Sequence, residues 1–213
     1  MDTMYSAAAV IAAYLVGSLA FAVIVSKVMG LSDPRTFGSK NPGATNVLRS
    51  GSKPAAVITL LLDAFKGLVP VLLVKAYGKP YGMEEGTMAL VGLAAFLGHL
   101  YPVFFRFEGG KGVATFLGVV FGVHWGLGLA TALTWLIIAF FFRYSSLASL
   151  VSAVFAPVYY LFGDRLGWYA ERPVAMALFA MALLLGWRHR ANIDRLMKGT
   201  ESKLGAKKKA SGA

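Results

Sequence analysis

The chain contains no cysteine among its 213 residues, which excludes a disulfide framework, a metal–thiolate site and a cysteine nucleophile. Histidine is scarce, with three in all. No carboxylates stand at a matching spacing, so the sequence offers no metal site. Acidic residues number only 10 against 21 lysines and arginines. The resulting net charge of +11 would suit nucleic acid, but its placement points to a membrane instead. Long polar stretches are missing too: the longest connection is roughly two dozen residues, too short for a soluble domain. No internal repeat is visible.

Apolar residues are what the chain has in excess, 57% of the total, with a mean hydropathy of +0.65. Runs near the length that crosses a bilayer recur at 4–26, 54–74, 87–105, 113–142, 146–162 and 173–187. The run at 113–142 has room for two short helices, broken around "GVHWGLG". The predicted fold is therefore all-α and integral to the membrane. It has about seven transmembrane helices, five clear spans plus a short or re-entrant pair over 113–142. The first run carries Asp2 and no basic leader, which reads as a retained helix rather than a signal peptide. Residues 1–204 are expected to form one domain, followed by a basic, disordered tail over 205–213.

Lysine and arginine cluster in alternate connections. Lys27, Arg35, Lys40, Arg49 and Lys53 form one set, and Arg106 with Lys111 a second. Arg143 follows, and then Arg188, Arg190, Arg195, Lys198 and the tail. The positive-inside bias places these in the cytoplasm, the N-terminus outside and the C-terminus inside. The parity requires 113–142 to leave and return to the same side.

Chemistry is left to the loops and helix ends. In "FEGGKGVATFLG", Gly109, Gly110 and Gly112 bring backbone N–H groups to a helix start, where the dipole favours an anion, and Lys111 adds a point charge. Thr115 follows one turn on. The spacing is not that of a nucleotide-binding loop, so ATP is not implied. The loop "DPRTFGSKNPGATNVLRSGSKP" offers Ser39, Asn41, Thr45 and Asn46 as neutral hydrogen-bonding groups and Arg49 as a planar fork for phosphate. Asp63 and Lys66, three apart within an apolar run, read either as a structural ion pair or as a lysine turned to the polar pocket and oriented by the aspartate. His99 reads as a hydrogen-bonded structural residue or as a catalyst; His124 is the weaker candidate of the two. Among the serines of "RYSSLASL", one caps the helix, while Ser149 lies too deep to cap and can face the site. After the last run, Arg188, His189, Asn192 and Arg195 recur at helical spacing, and Thr200–Glu201 follow a glycine stop.

Taken together, "GSKNPGATNVLR", "GHLYPVFFRFEGGKGVAT" and "RHRANIDRLMKGTE" resemble the three signature loops of the bacterial acyl-phosphate:glycerol-3-phosphate acyltransferases, the PlsY family. The likeness runs from about residue 14 to 204 and includes "DAFKG" and "RYSSLASL". Two departures stand out: Glu108 where the family commonly has lysine, and Leu19–Ala20 where the first helix often has isoleucine and proline.

The resemblance implies seven membrane helices in the bacterial inner membrane with the signature loops on its cytoplasmic face. It implies acyl transfer from acyl phosphate to the sn-1 hydroxyl of glycerol 3-phosphate, giving lysophosphatidic acid without metal, coenzyme A or other cofactor. An upstream enzyme would form the acyl phosphate, and no nucleic acid is involved. On this reading the loop at 108–112 holds the donor phosphate, with Lys111, His189 and Asn192 catalytic. Ser39, Asn46, Arg49 and Ser149 place the glycerol phosphate, and His189 and Asn192 close the pocket. Asn41, Thr45, Lys66, Thr115 and Glu201 complete the substrate-binding set. The proton of the attacking hydroxyl goes to His189 or to a phosphate oxygen. The rival from another class is a transporter or channel for an anionic solute, which would ordinarily show two related halves.

Orientation can be tested in this cysteine-free chain. A cysteine placed at Ser50 should react with an impermeant thiol reagent only after cells are opened. Labelling in intact cells would reverse the topology.

Overall fold

The structure, a computed structural model, describes residues 2–205, so most of the basic tail lies outside the described residues. Ten α-helices follow one another, with no strand among the described residues. They are α1 (Asp2–Gly17), α2 (Phe21–Val28), α3 (Ala44–Leu48), α4 (Lys53–Tyr77), α5 (Glu85–Leu100), α6 (Val113–Val123), α7 (Trp125–Phe142), α8 (Ser145–Phe162), α9 (Arg172–Arg188) and α10 (Arg190–Met197). Lys53–Tyr77, Glu85–Phe105, Trp125–Phe142 and Ser145–Phe162 are each long and apolar enough to cross a bilayer, and α1 with α2 gives up to a fifth span.

Lipid removes the hydrophobic drive that would press helices together in water, so close packing has to hold them. Small residues supply it. Gly17 and Gly98 let α1 and α5 touch backbone to backbone, and Gly67 and Gly118 do the same for α4 and α6. A Cβ at Gly118 would fall on the Ala64 carbonyl oxygen, and one at Gly67 on that of Thr115. Phe96, Leu100, Phe116, Val120, Leu127, Leu178 and Leu185 fill the main core. Outward, Phe140, Phe162, Leu183 and Val28 stay exposed, as lipid-facing residues do.

Two boundaries differ from those the sequence predicts. The run 4–26 is not one helix but α1 and α2, bent by 44°. The bend forms without a proline. Ser18 returns its hydroxyl to the Tyr14 carbonyl (2.8 Å), and the Leu19 carbonyl accepts from the Lys66 ammonium (2.7 Å). The run 113–142 does break within "GVHWGLG", but into one short and one long helix, since α6 has 11 residues and α7 has 18. His124 sets the break: its backbone is extended, and its Nδ1 accepts from the Gly126 N–H (3.2 Å) to cap α7.

The shortness of α6 comes from where it starts. Its first turn packs on Gly67 and its middle on Ala64, about ten to fourteen residues into α4, or ~15–20 Å along that helix. The loop before α6 is therefore recessed between α4, α5 and α9.

If glycine contacts hold the bundle, Gly118→Ala should destabilise it by about 1–3 kcal/mol, the cost of overpacking. The readout is the midpoint of thermal or dodecyl sulfate denaturation in detergent. Gly86→Ala, whose Cβ meets nothing within 4 Å, should show no such loss.

Candidate active site

The glycine loop takes its shape from three backbone demands. Gly109 lies against the carbonyls of His99 and Leu100, with no room for a Cβ. Gly110 donates its N–H to the His99 carbonyl (3.1 Å). Gly112 sits at φ +83°, a left-handed position that suits glycine. From the other side Arg188 clamps the loop, with Nε donating to the Gly110 carbonyl (3.1 Å) and Nη2 to that of Gly109 (2.7 Å). The N–H groups of Lys111, Gly112 and Val113 find no acceptor among the described residues. They lie at the positive end of α6, an arrangement suited to an anion. The N–H of Gly110 is not part of it, because His99 already takes it.

The segment after α9 supplies the opposite wall. The Lys111 ammonium donates to Asn192 Oδ1. Asn192 Nδ2 donates to Glu201 Oε1 (2.7 Å), which also accepts from the Ser146 hydroxyl (2.7 Å). Arg195 Nε donates to Glu201 Oε2 (2.7 Å). Residues 199–205 are tied down beside this network, since Arg49 Nη2 donates to Ser202 Oγ (2.9 Å) and the Leu204 N–H to the Arg143 carbonyl (2.6 Å). Arg195 pairs with this carboxylate directly, and the charges of Glu201, Arg195, Arg49 and Arg188 all act on Lys111.

Protonation follows from these contacts. Burial lowers Lys111 to about 8, and the nearby arginines push the same way against the opposing pull of Glu201. Burial alone would raise Glu201, but hydrogen bonds from Ser146, Asn192 and Arg195 outweigh it and hold the carboxyl below its usual range. Burial, then the charge of Lys111, lowers His189 to about 4, so its imidazole is neutral near pH 7. His189 Nδ1 lies 2.8 Å from the Leu185 carbonyl. That contact assigns the proton to Nδ1 and leaves Nε2 as an acceptor.

Of the residues chosen from sequence, the structure joins Lys111, Asn192 and Glu201 directly, with Arg49 tied to Ser202 beside Glu201. His189 is buried at the start of the same turn. Ser39 is exposed and Asn41 half-buried in the loop before α3, and Thr45 is exposed on α3. Four of the chosen residues are buried away from this network. Asn46 turns inward and staples its own loop, donating to the Pro34 (2.6 Å) and Phe37 (3.1 Å) carbonyls and accepting from the Ser39 N–H (3.0 Å). Lys66 is taken up by Asp63 (2.8 Å) and the Leu19 carbonyl, so the ion-pair alternative holds. Ser149 donates to the Ser145 carbonyl and accepts from Trp135 Nε1 (3.1 Å). Thr115 is fully buried between helices, its hydroxyl without a partner among the described residues.

Ser146, Arg188 and Arg195 belong to the site and were not singled out for it. Ser146 and Ser149 are one helical turn apart, so only the position of Glu201 decides between them. For the arginines the helical spacing with His189 and Asn192 was the available signal.

Lys111 should react with an amine-acylating reagent ahead of surface lysines such as Lys79, with an apparent pKa of about 8 in peptide mapping against pH. Glu201→Gln removes the anion that supports the charge and should lower that pKa further.

The chain matches the family model described as glycerol-3-phosphate acyltransferase over residues 7–199. It is 70% identical over 207 residues to a glycerol-3-phosphate acyltransferase of Albidiferax ferrireducens, covering 97% of this chain and 92% of that one. It is 64% identical to one of Bordetella petrii, covering 96% and 95%. A crystal structure of PlsY, an integral membrane glycerol 3-phosphate acyltransferase in its glycerol 3-phosphate form, superposes with a TM-score of 0.84 at 41% identity, covering 94% of this chain and 96% of that one. Its lysophosphatidic acid form gives 0.82 at 40% identity over the same shares of the two chains. The chain is a member of the PlsY family of integral membrane glycerol-3-phosphate acyltransferases.

Proposed function

We propose that this enzyme transfers a fatty acyl group from acyl phosphate to the sn-1 hydroxyl of glycerol 3-phosphate, releasing lysophosphatidic acid and inorganic phosphate. The observation that carries the reading is the Lys111 ammonium, linked through Asn192 to Glu201 and close to Arg49, Arg188 and Arg195, beside N–H groups at the start of α6 that find no acceptor among the described residues. Such a place suits two phosphates, and both substrates carry one.

On this reading the glycine loop and Lys111 take the donor phosphate. Arg49 takes the acceptor phosphate through its planar fork, with Ser39, Asn41 and Thr45 lining the approach. The glycerol hydroxyl oxygen attacks the acyl carbonyl carbon, and the bond from that carbon to the phosphate oxygen breaks. The electron pair leaves with phosphate. An acyl phosphate is already activated, so positioning and charge stabilisation suffice without a covalent nucleophile. His189, lowered to about 4, is a weak base near pH 7. The departing phosphate takes the proton, while His189 and Asn192 close the pocket around the hydroxyl.

Residues 1–204 act as one domain crossing the bacterial inner membrane seven times, with α1 and α2 as one crossing, then α4, α5, α6, α7, α8 and α9. Supporting this, the connections assigned to one side are those that touch: Arg188 reaches Gly109, Arg49 reaches Ser202, and Arg143 meets Leu204. That face is the cytoplasmic one by the lysine and arginine bias, and an acyl-phosphate-forming enzyme supplies the donor there.

Detergent-purified protein given acyl phosphate and glycerol 3-phosphate should form lysophosphatidic acid with no coenzyme A added. A folded protein that forms none, yet moves phosphate across liposomes, would be a transporter. Arg49→Lys keeps the charge but loses the fork, and should weaken glycerol 3-phosphate use by about 1–3 kcal/mol while sparing the donor's KM. Lys111→Ala should cause a larger loss that added glycerol 3-phosphate does not rescue.

A further inference from the structure

Three titratable groups sit inside the bundle, outside the contacts of the site. Asp63 is 2% exposed, Lys66 3% and His99 7%. Lys66 Nζ lies 2.8 Å from Asp63 Oδ1, and His99 Nδ1 approaches the same oxygen at 3.5 Å. A buried ion pair rarely repays its desolvation, and within a membrane apolar residues would pack at less cost. Its presence calls for a task that leucines could not perform.

The imidazole of His99 faces two ways. Its Nδ1 edge meets Asp63, and its Nε2 edge meets Gly110, where an added Cβ would collide with it. The backbone of the same residue accepts from the Gly110 N–H (3.1 Å) and lies against Gly109. On the far side, Arg188 holds the carbonyls of Gly109 and Gly110. The two glycines are thus gripped between a histidine on α5 and an arginine on α9, with Lys111 next in the chain. Lys66 anchors the aspartate and is itself tied to the Leu19 carbonyl at the bend between α1 and α2. Lys66, Asp63 and His99 thus lie in a row between that bend and the glycine loop.

We propose that Asp63 and His99 are positioning residues that set the placement of the glycine loop, and with it Lys111, from inside the membrane. Neither group touches the reacting atoms. The ion pair fixes the ring, and the ring forms a floor against which the loop rests. This rests on the reading of the glycine loop as the element that binds the donor phosphate. The collision at Gly110 follows from geometry alone.

His99→Gln tests the proposal. The amide keeps a polar group near the loop but cannot bridge Asp63 to Gly110 as the ring does. In the folded variant, use of acyl phosphate should fall about ten- to hundredfold, the scale of a small misplacement, while the KM for glycerol 3-phosphate stays within about twofold. The apparent pKa of Lys111, read by amine labelling, should rise from about 8 towards the ordinary lysine value as the loop loosens into water. A merely structural role would reduce the amount of folded protein and leave both readouts of the remainder unchanged, and that result would overturn the proposal. Should His99→Gln not accumulate, Asp63→Asn is expected to give the same split.

A second measurement uses the collision. Gly110→Ala should impair donor use, and because His99→Ala both removes the floor and makes room for the new methyl group, the loss in the double variant should fall short of the product of the two single losses. Losses that simply multiply in the double variant would overturn the proposal. If the wild-type protein forms no lysophosphatidic acid, the functional reading fails, and the Lys111 labelling still decides the positioning role.

Discussion

The carboxylate of Glu201 is the contact on which one end of the molecule depends. It accepts from Ser146 on α8 and from Asn192 and Arg195 on α10, and through Asn192 it is linked to Lys111 before α6. Charge explains why one acid suffices. Lys111, Arg49, Arg188 and Arg195 lie close enough for their like charges to oppose one another at Lys111, where Glu201 acts the other way, and a surplus of positive charge remains. The arrangement also explains why residues 199–205, which form no helix, have a defined course beside Arg49 and Arg143. The chain is held there by what its side chains satisfy.

A second constraint comes from lipid. Helices surrounded by hydrocarbon gain little from hiding apolar side chains, so the bundle relies on backbone contact at glycine and on a few internal polar bonds. Those same contacts fix the loops. Gly67 and Gly118 set how far α6 lies along α4, which determines where the glycine loop emerges. Packing and site geometry are one problem in this fold.

Much of this was legible in the residues. Hydropathy located the helical runs, and the three polar loops named Lys111, Asn192, Glu201 and Arg49, because short motifs keep their chemistry together. The structure departs from that reading where a choice between neighbours depended on a distant partner. Asn46 lies in a loop rich in hydrogen-bonding groups, and nothing local shows that it would satisfy Pro34 and Phe37 rather than face outward. Ser146 and Ser149 share a helix face, and Glu201, far along the chain, decides between them. The bend at Ser18–Ala20 was hidden because no proline marks it; it depends on a lysine reaching across from α4. Lys66 itself stood equally between two readings until its partners were located.

The recess before α6 alters what concentration means for a long-chain substrate. With 11 residues, α6 covers ~16 Å, about half the thickness of the hydrocarbon layer. On the proposed reading, a donor phosphate held at its start would sit close to the depth at which fatty chains already lie. Such a molecule need not be drawn out of the bilayer to react, so the relevant measure is its surface density among lipids rather than its molarity in water. Diluting the membrane with inert lipid or detergent would then weaken donor occupancy with no change in any residue of the protein.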